Sequence, residues 1–195
     1  MNDPPVVLMT PHSDPGRKAF LLRDLVLGMQ SAFTSIEECL QPVICCINGG
    51  CIGGGVDLVT ACDIRYCTID AYLSVKEVDL GLCADIGTLQ RLPKIVSSHS
   101  DVKEWCLTGR KISSEEALSS GLVSRVFKNK EEMIQHALTT AKVIASKSPV
   151  AVVGTKFILN RTRDMSVKDG LEYVATWNSA MLQTKVRLNY VFDCF

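Results

Sequence analysis

Pro42-Val-Ile-Cys-Cys-Ile-Asn-Gly-Gly-Cys-Ile-Gly-Gly-Gly-Val-Asp-Leu58 is the stretch from which the rest of the chain can be read. Val43 to Ile47 is a short continuous apolar run, β-branched at both ends, as expected of a strand buried on both faces. Five glycines follow within the seven residues Gly49 to Gly55, and Val56 to Cys62 then reads as a short helix. Glycines at such a junction let backbone N–H groups come close to a ligand. At a helix N-terminus those groups attract negative charge. A tight strand-to-helix turn accounts for the same glycines without any ligand. No Gly-Lys-Ser/Thr follows, and the spacing G-x-G-x-x-G is matched in no register, which leaves phosphate-loop and dinucleotide-binding folds without their motifs. What remains is an anion site for something smaller, such as a developing oxyanion.

Working outward, Leu22, Leu25, Met29, Phe33, Ile36 and Leu40 recur at three- and four-residue spacing, which predicts a helix over 16–40 that Pro42 stops. Residues 1–15 are turn-rich, with four prolines. Downstream, Ile64 to Thr68 and Tyr72 to Val75 read as strands, and 76–91 as loop with a short helix near its end. Residues 101–108 are helical. Ser113 with Glu116 forms a capping-box pattern before a short helix that ends at Gly121. Leu122 to Phe127 reads as a strand, and 130–146 as an amphipathic helix. Ser148-Pro149 opens a helix to about Arg161, and 166–185 forms the last one. Strands and helices interleave early and helices dominate late, which predicts an α/β fold with a helical C-terminal part.

The chain has 195 residues, enough for one substantial core, with 47% apolar residues and 21 basic against 21 acidic side chains. Zero net charge argues against a disordered chain and against a nucleic-acid binder, which shows a basic face. The nine cysteines lie mostly in apolar strings and behave as small hydrophobes, with no C-x-x-C spacing. The three histidines lie far apart, so no metal site is expected, and a reducing compartment is. No apolar run approaches the roughly 18 residues of a membrane helix. The start, Met-Asn-Asp-Pro-Pro, lacks the basic and apolar regions of a targeting signal.

Three carboxylates then stand out. Asp57 interrupts the apolar string Val56-Asp57-Leu58-Val59, and Glu77 and Asp85 flank Val78 to Ala84, apolar apart from Asp79. Carboxylates beside apolar walls hold protons more tightly, which suits general acid–base work near neutral pH. Each also admits a structural role: Asp57 as a first-turn dipole partner, Asp85 as an N-cap, Glu77 as a solvated charge next to Lys76.

Pro42 to Leu58, followed by Ala61-Cys-Asp-Ile-Arg65, resembles the second signature of the crotonase (enoyl-CoA hydratase/isomerase) superfamily. Gly87-Thr-Leu-Gln-Arg-Leu-Pro93, Thr108-Gly-Arg, and Glu116-Ala-Leu with Gly121-Leu-Val resemble it too, and the likeness runs from about residue 16 to 184. Asp57, Glu77 and Asp85 together, with Lys76-Glu-Val-Asp79, Trp177-Asn178 and Met181-Leu-Gln-Thr184, are similar to its dienoyl-CoA isomerase branch. A hydratase would carry glutamate at the first of the three acidic positions and glycine at the last.

The resemblance implies a ββα spiral core over 1–127 and a helical C-terminal region over 128–195 that trimerises. It implies a fatty acyl-CoA substrate, no separate cofactor, a homotrimer or homohexamer, and a mitochondrial or peroxisomal matrix location. The implied reaction converts 3,5-dienoyl-CoA to 2,4-dienoyl-CoA. Gly54 would give one oxyanion-hole N–H, Glu77 and Asp85 would be the proton-transfer pair, and Asp57 a third acid in the pocket. The superfamily's first oxyanion donor, in an Ala-Gly-Ile-Asp-like segment before the long helix, has no counterpart in the sequence. The spiral is therefore expected to be incomplete at its N-terminus, and hydratase-like activity or a catalytically silent subunit are the competing expectations. After Thr184 the likeness dissolves, and no peroxisomal Ser-Lys-Leu ends the chain.

Overall fold

The computed structural model describes residues 14–183. The turn-rich start and the tail after 183, with Cys194, lie outside them. The long helix α1 spans Pro15–Glu38, with Asp14 as its N-cap accepting the Arg17 N–H at 3.1 Å. The buried run becomes β1 (Ile44–Ile47). A second strand, β2 (Gly50–Ile52), lies inside the glycine cluster that the sequence reads as a turn. Then come α2 (Gly54–Ala61), β3 (Ile64–Thr68) and β4 (Tyr72–Ser74). The segment expected to be loop up to a short helix holds a 3-10 helix at Lys76–Leu80, and α3 (Thr88–Ile95) runs on through Pro93. The remainder is α4 (His99–Thr108), β5 (Ile112–Ser113), α5 (Ser114–Ser119), β6 (Arg125–Phe127), α6 (Lys130–Ala145), α7 (Pro149–Thr162) and α8 (Val167–Met181).

Strands β1 to β4 alternate between two three-stranded sheets, after which β5 joins the second sheet and β6 the first. β1, β3 and β6 lie side by side and parallel, with Ile44 opposite Ile64 and Tyr66 opposite Arg125. β2 pairs parallel with β4, and β4 antiparallel with β5. Parallel neighbours need crossover connections. A strand of the other sheet together with α2 makes the crossovers from β1 to β3 and from β2 to β4, and the chain advances there as a ββα spiral. The core fills the space between the sheets and α2 to α5. Val56, Leu73, Leu92, Ile112 and Leu122 are fully buried there, and Trp105 nearly so. Each such side chain contributes about 1.5–3 kcal/mol. α6 packs on β1 and β3 and buries its Met133, while α7 and α8 pack on each other, with Phe157 stacked on Trp177 at 4.8 Å.

Local signals account for several boundaries. The capping box exists as read: Ser113 Oγ accepts the Glu116 N–H at 3.1 Å, and Glu116 Oε2 accepts the Ser113 N–H at 2.9 Å. Ser148 occupies the N-cap of α7, but its hydroxyl makes no cap hydrogen bond. The apolar stripe of α1 is open to solvent at Leu22, Leu25 and Met29, as is Leu40 just past its end, and no residue of the helix is buried. Phe33 and Ile36 of that stripe are half-buried, and so are the polar Gln30, Thr34 and Glu37, which share one face at i, i+4 and i+7. Thr34 Oγ1 and Glu37 Oε2 accept hydrogen bonds from the Arg91 guanidinium at 3.0 and 2.9 Å.

All eight described cysteines are free thiols, and Cys51, Cys62 and Cys67 are buried. Burial pushes the Cys51 and Cys67 thiols up to about 11, so both sit as neutral hydrophobes. Among the described residues no helix is long and apolar enough to cross a membrane, and no group of three or more His, Cys, Asp or Glu side chains converges to hold a metal.

Candidate active site

The site is built around the start of α2. Gly53 has φ +54°, a left-handed backbone that an L side chain strains to adopt. That turn ends β2 and aims the chain into the helix, with the Gly53 N–H donating to Ser74 O at 2.9 Å and its carbonyl accepting the Val56 N–H at 2.7 Å. Gly54 is the first residue of α2. Helix geometry gives its N–H no acceptor within the helix, and the helix dipole adds positive potential there.

Asp57 lies one turn further in and is fully buried. Its Oδ1 accepts the Thr88 N–H at 2.6 Å, and its Oδ2 is buried and takes no hydrogen bond among the described residues. Asp57 therefore sits in the first turn of α2 and also binds the first N–H of α3. The N-cap position of α3 is Gly87, so Asp85 is not its cap.

Glu77 comes from the 3-10 helix. Its Oε1 lies 3.1 Å from where a Cβ on Gly53 would stand, which brings the carboxylate against the glycine turn. Its Oε2 is buried and takes no hydrogen bond among the described residues. Burial, above all, raises the proton affinity of Glu77. Its own backbone amide opposes this, and the charges of Asp57 and Asp85 add to it. Lys76 pairs instead with Asp79, at 2.5 Å, so Glu77 is not the solvated partner of its neighbour. The apolar wall between the two acids is not a wall: Val78, Leu80 and Leu82 are exposed, and only Ala84 is buried. Gly53 lies against Glu77, and Cys106 feels its charge.

Asp85 is half-buried on the connector into α3, and its backbone carbonyl accepts the Gln30 Nε2–H at 2.6 Å. Ile86 next to it reaches Gly54, with Cδ1 3.8 Å from that glycine's Cβ position. The structure thus brings Gly54, Asp57, Glu77 and the Asp85 segment together around one helix start. The arrangement offers a free N–H for an oxygen that gains charge, and two carboxylates from separate segments to move protons beside it. Three contributors have no sequence signal of their own. Gly53 is one glycine among five, Thr88 acts through its backbone, and Gln30 shows only as one member of a polar i, i+4, i+7 stripe on α1.

The enoyl-CoA hydratase/isomerase family model matches residues 23–188. The mitochondrial Delta(3,5)-Delta(2,4)-dienoyl-CoA isomerase of Rattus norvegicus is 57% identical over 179 residues, covering 92% of this chain and 55% of the relative. The peroxisomal enzyme of that name from Arabidopsis thaliana is 56% identical over 170 residues, covering 87% and 61%. The crystal structure of an enoyl-CoA hydratase from Bacillus anthracis superposes with a TM-score of 0.82 at 32% identity, over 88% of this chain and 66% of that one. The chain spans little more than half the length of the curated relatives it matches. Its two-sheet spiral, its glycine turn into α2 and these matches agree: the chain belongs to the enoyl-CoA hydratase/isomerase family.

Proposed function

We propose that this chain carries the proton-transfer centre of a dienoyl-CoA isomerase, converting a 3,5-dienoyl-CoA to the conjugated 2,4-dienoyl-CoA. One observation carries the reading. Glu77 lies desolvated against the glycine turn that starts α2, within reach of the charges of both Asp57 and Asp85. The thioester oxygen would accept the Gly54 N–H. Ionised Glu77 would then take a proton from the α carbon, which the thioester acidifies. Negative charge spreads over the dienolate to the thioester oxygen, where the N–H and the helix dipole stabilise it. Protonated Asp85 would deliver a proton to the ε carbon, the far end of the conjugated system. The double bonds move from C3 and C5 to C2 and C4, and no atom is gained or lost. Turnover leaves Glu77 protonated and Asp85 ionised, and solvent exchange resets the pair. A raised proton affinity makes Glu77 the stronger base, as removal of a carbon-bound proton requires.

The test is growth of the conjugated dienoyl-CoA absorbance with this exact chain. Glu77→Gln and Asp85→Asn should each abolish it, and unchanged rates in both variants would refute the assigned roles. Hydratase-like chemistry is the second reading, favoured by the 36% identity to a carnitinyl-CoA dehydratase of Salmonella arizonae and by the Bacillus anthracis hydratase structure. Water addition to a 2-enoyl-CoA, measured directly, would expose it. Because the chain covers about half of its relatives, a folded but silent chain is the outcome to separate. A cooperative melt without turnover of either substrate would identify it. By the same likeness we place the protein in mitochondria or peroxisomes, as the relatives' names state for them. Its substrate would be a fatty acyl-CoA with no separate cofactor, and its assembly a homotrimer or homohexamer, the trimer contacts coming from the helical region 128–195 behind a core over 1–127.

A further inference from the structure

We propose that Gln30 is a positioning residue for the Asp85 carboxylate: its side-chain amide fixes the backbone of Asp85 from α1, while Asp57 fixes Thr88 from α2. The inference rests on the reading of Glu77 and Asp85 as the proton-transfer pair.

Asp85-Ile86-Gly87 is an irregular connector, so no helix or strand ladder holds its shape. Gln30, Ile86 and Gly87 border a cavity of about 1140 Å³ between α1, α3 and α7. The connector therefore has open space on that side, where close packing would otherwise hold it. Two hydrogen bonds from distant parts of the chain close its ends. At one end the Gln30 amide donates to the Asp85 carbonyl at 2.6 Å across 55 residues. At the other, the Thr88 N–H donates to the buried Asp57 Oδ1 at 2.6 Å. Asp57 and Gly54 share the first turn of α2, so the second bond ties the connector to the same turn that presents the oxyanion N–H. That N–H would set where the acyl chain begins, and Asp85 must meet a carbon at a fixed number of bonds from it. Without Gln30 the connector keeps its Thr88 end, the Ile86 contact and the buried Ala84 ahead of it, and the Asp85 peptide between them can pivot. Thr34 and Glu37, on the same face of α1, grip the Arg91 side chain instead. Gln30 is the member of that stripe whose partner is the site segment itself.

The test compares Gln30→Met, which keeps length and removes the donor, with Gln30→Ala and with Thr34→Val, which loosens α1 from Arg91 without touching Asp85. Both Gln30 variants keep a good helix former in place, so folding is preserved. Amide exchange at Ile86 and Gly87 should quicken about 3- to 10-fold in both, and kcat for 3,5-dienoyl-CoA should fall by a similar factor with KM unchanged. Thr34→Val should change neither. Unchanged exchange in Gln30→Met overturns the proposal. So does a kcat loss that Thr34→Val reproduces, because Gln30 is then only one tether of α1, or a loss that falls on KM. If the unaltered chain shows no turnover while exchange quickens in the Gln30 variants, the clamp stands and the reaction assigned to the site is what fails.

Discussion

Replacing Lys156 by methionine removes the cation that fastens α7 to the core and keeps most of its stem. Lys156 is 8% exposed. Its Nζ pairs with Asp63 Oδ2 at 2.8 Å and donates to the carbonyls of Gln41 and Ile36 at 3.0 and 3.2 Å. Those carbonyls lie at and just beyond the C-terminus of α1, so one ammonium joins α7, the end of α1 and the segment leading into β3. Removing one partner of a buried pair costs about 3–5 kcal/mol, because the other charge stays buried alone. Asp63 is not left wholly alone: Oδ2 also accepts the Val43 N–H at 2.7 Å, and its side chain is 20% exposed. The lower end, about 3 kcal/mol, is therefore expected. For a chain of this size that lowers the melting temperature by roughly 6–12 °C. Thermal and urea unfolding of the two proteins at equal concentration measure it. Lys94→Met is the control: its pair with Asp164 is exposed on both sides, and such pairs contribute about 0–1 kcal/mol. Adding Asp63→Asn to Lys156→Met should recover part of the loss, since the unpaired charge goes with it. A Lys156→Met loss no larger than that of Lys94→Met would refute the reasoning.

Three further outcomes follow from the site. Glu77 binds its proton more tightly in the fold than its ordinary value of 4.5, so between that value and the raised one the folded chain holds more protons than the unfolded chain. Stability then falls as pH rises through that window. Glu77→Gln should accordingly raise the melting temperature at pH 7 and leave it unchanged near about pH 4, and an equal shift at both would count against a desolvated Glu77. Gly53→Ala places a Cβ in a left-handed backbone at about 1–2 kcal/mol and pushes on the Glu77 carboxylate. Turnover should therefore fall further than the melting temperature implies, and full activity in a destabilised variant would separate that contact from catalysis. Asp57→Ala leaves the Thr88 N–H buried without its acceptor, at about 1–3 kcal/mol. It also removes a charge that raises the Glu77 proton affinity, so the acidic limb of the pH–rate profile should move to lower pH, and a fixed limb would deny the coupling.

Legibility in the sequence tracked how local the cause was. The capping box at Ser113 and Glu116 closes within four residues, and the strand over 64–68 is a compact β-branched and aromatic run, so both could be read directly. β2 could not be. A three-residue strand with glycine at one end exists because Gly50 to Ile52 pairs with Tyr72 to Ser74, a partner some twenty residues away. The stripe on α1 has the right period for a helix, yet side-chain hydrogen bonds from α1 to groups 54 or more residues distant come from the polar Gln30, Thr34 and Glu37. Periodicity reports that a face is apolar; it does not report what covers it.

The carboxylates show why spacing alone left their roles open. Asp57 is at once a first-turn acid of α2 and the acceptor for the first N–H of α3. A structural and a chemical reading of one residue are then not alternatives, and no count of sequence distances could have separated them. Their hydrogen bonding differs. One oxygen of Asp57 is committed to the Thr88 amide inside the core, and a carboxylate held that way favours a fixed post over carrying protons to and from a substrate. Glu77 has its Oε2 unpartnered and a raised proton affinity, and Asp85 stands half-buried on a connector clamped through its backbone, with no side-chain bond needed to hold it. Those features support the proposal that Glu77 and Asp85 handle the protons. We therefore propose Glu77 and Asp85 as the transferring pair, with Asp57, tied through one oxygen to the Thr88 amide, as a fixed third acid beside Gly54.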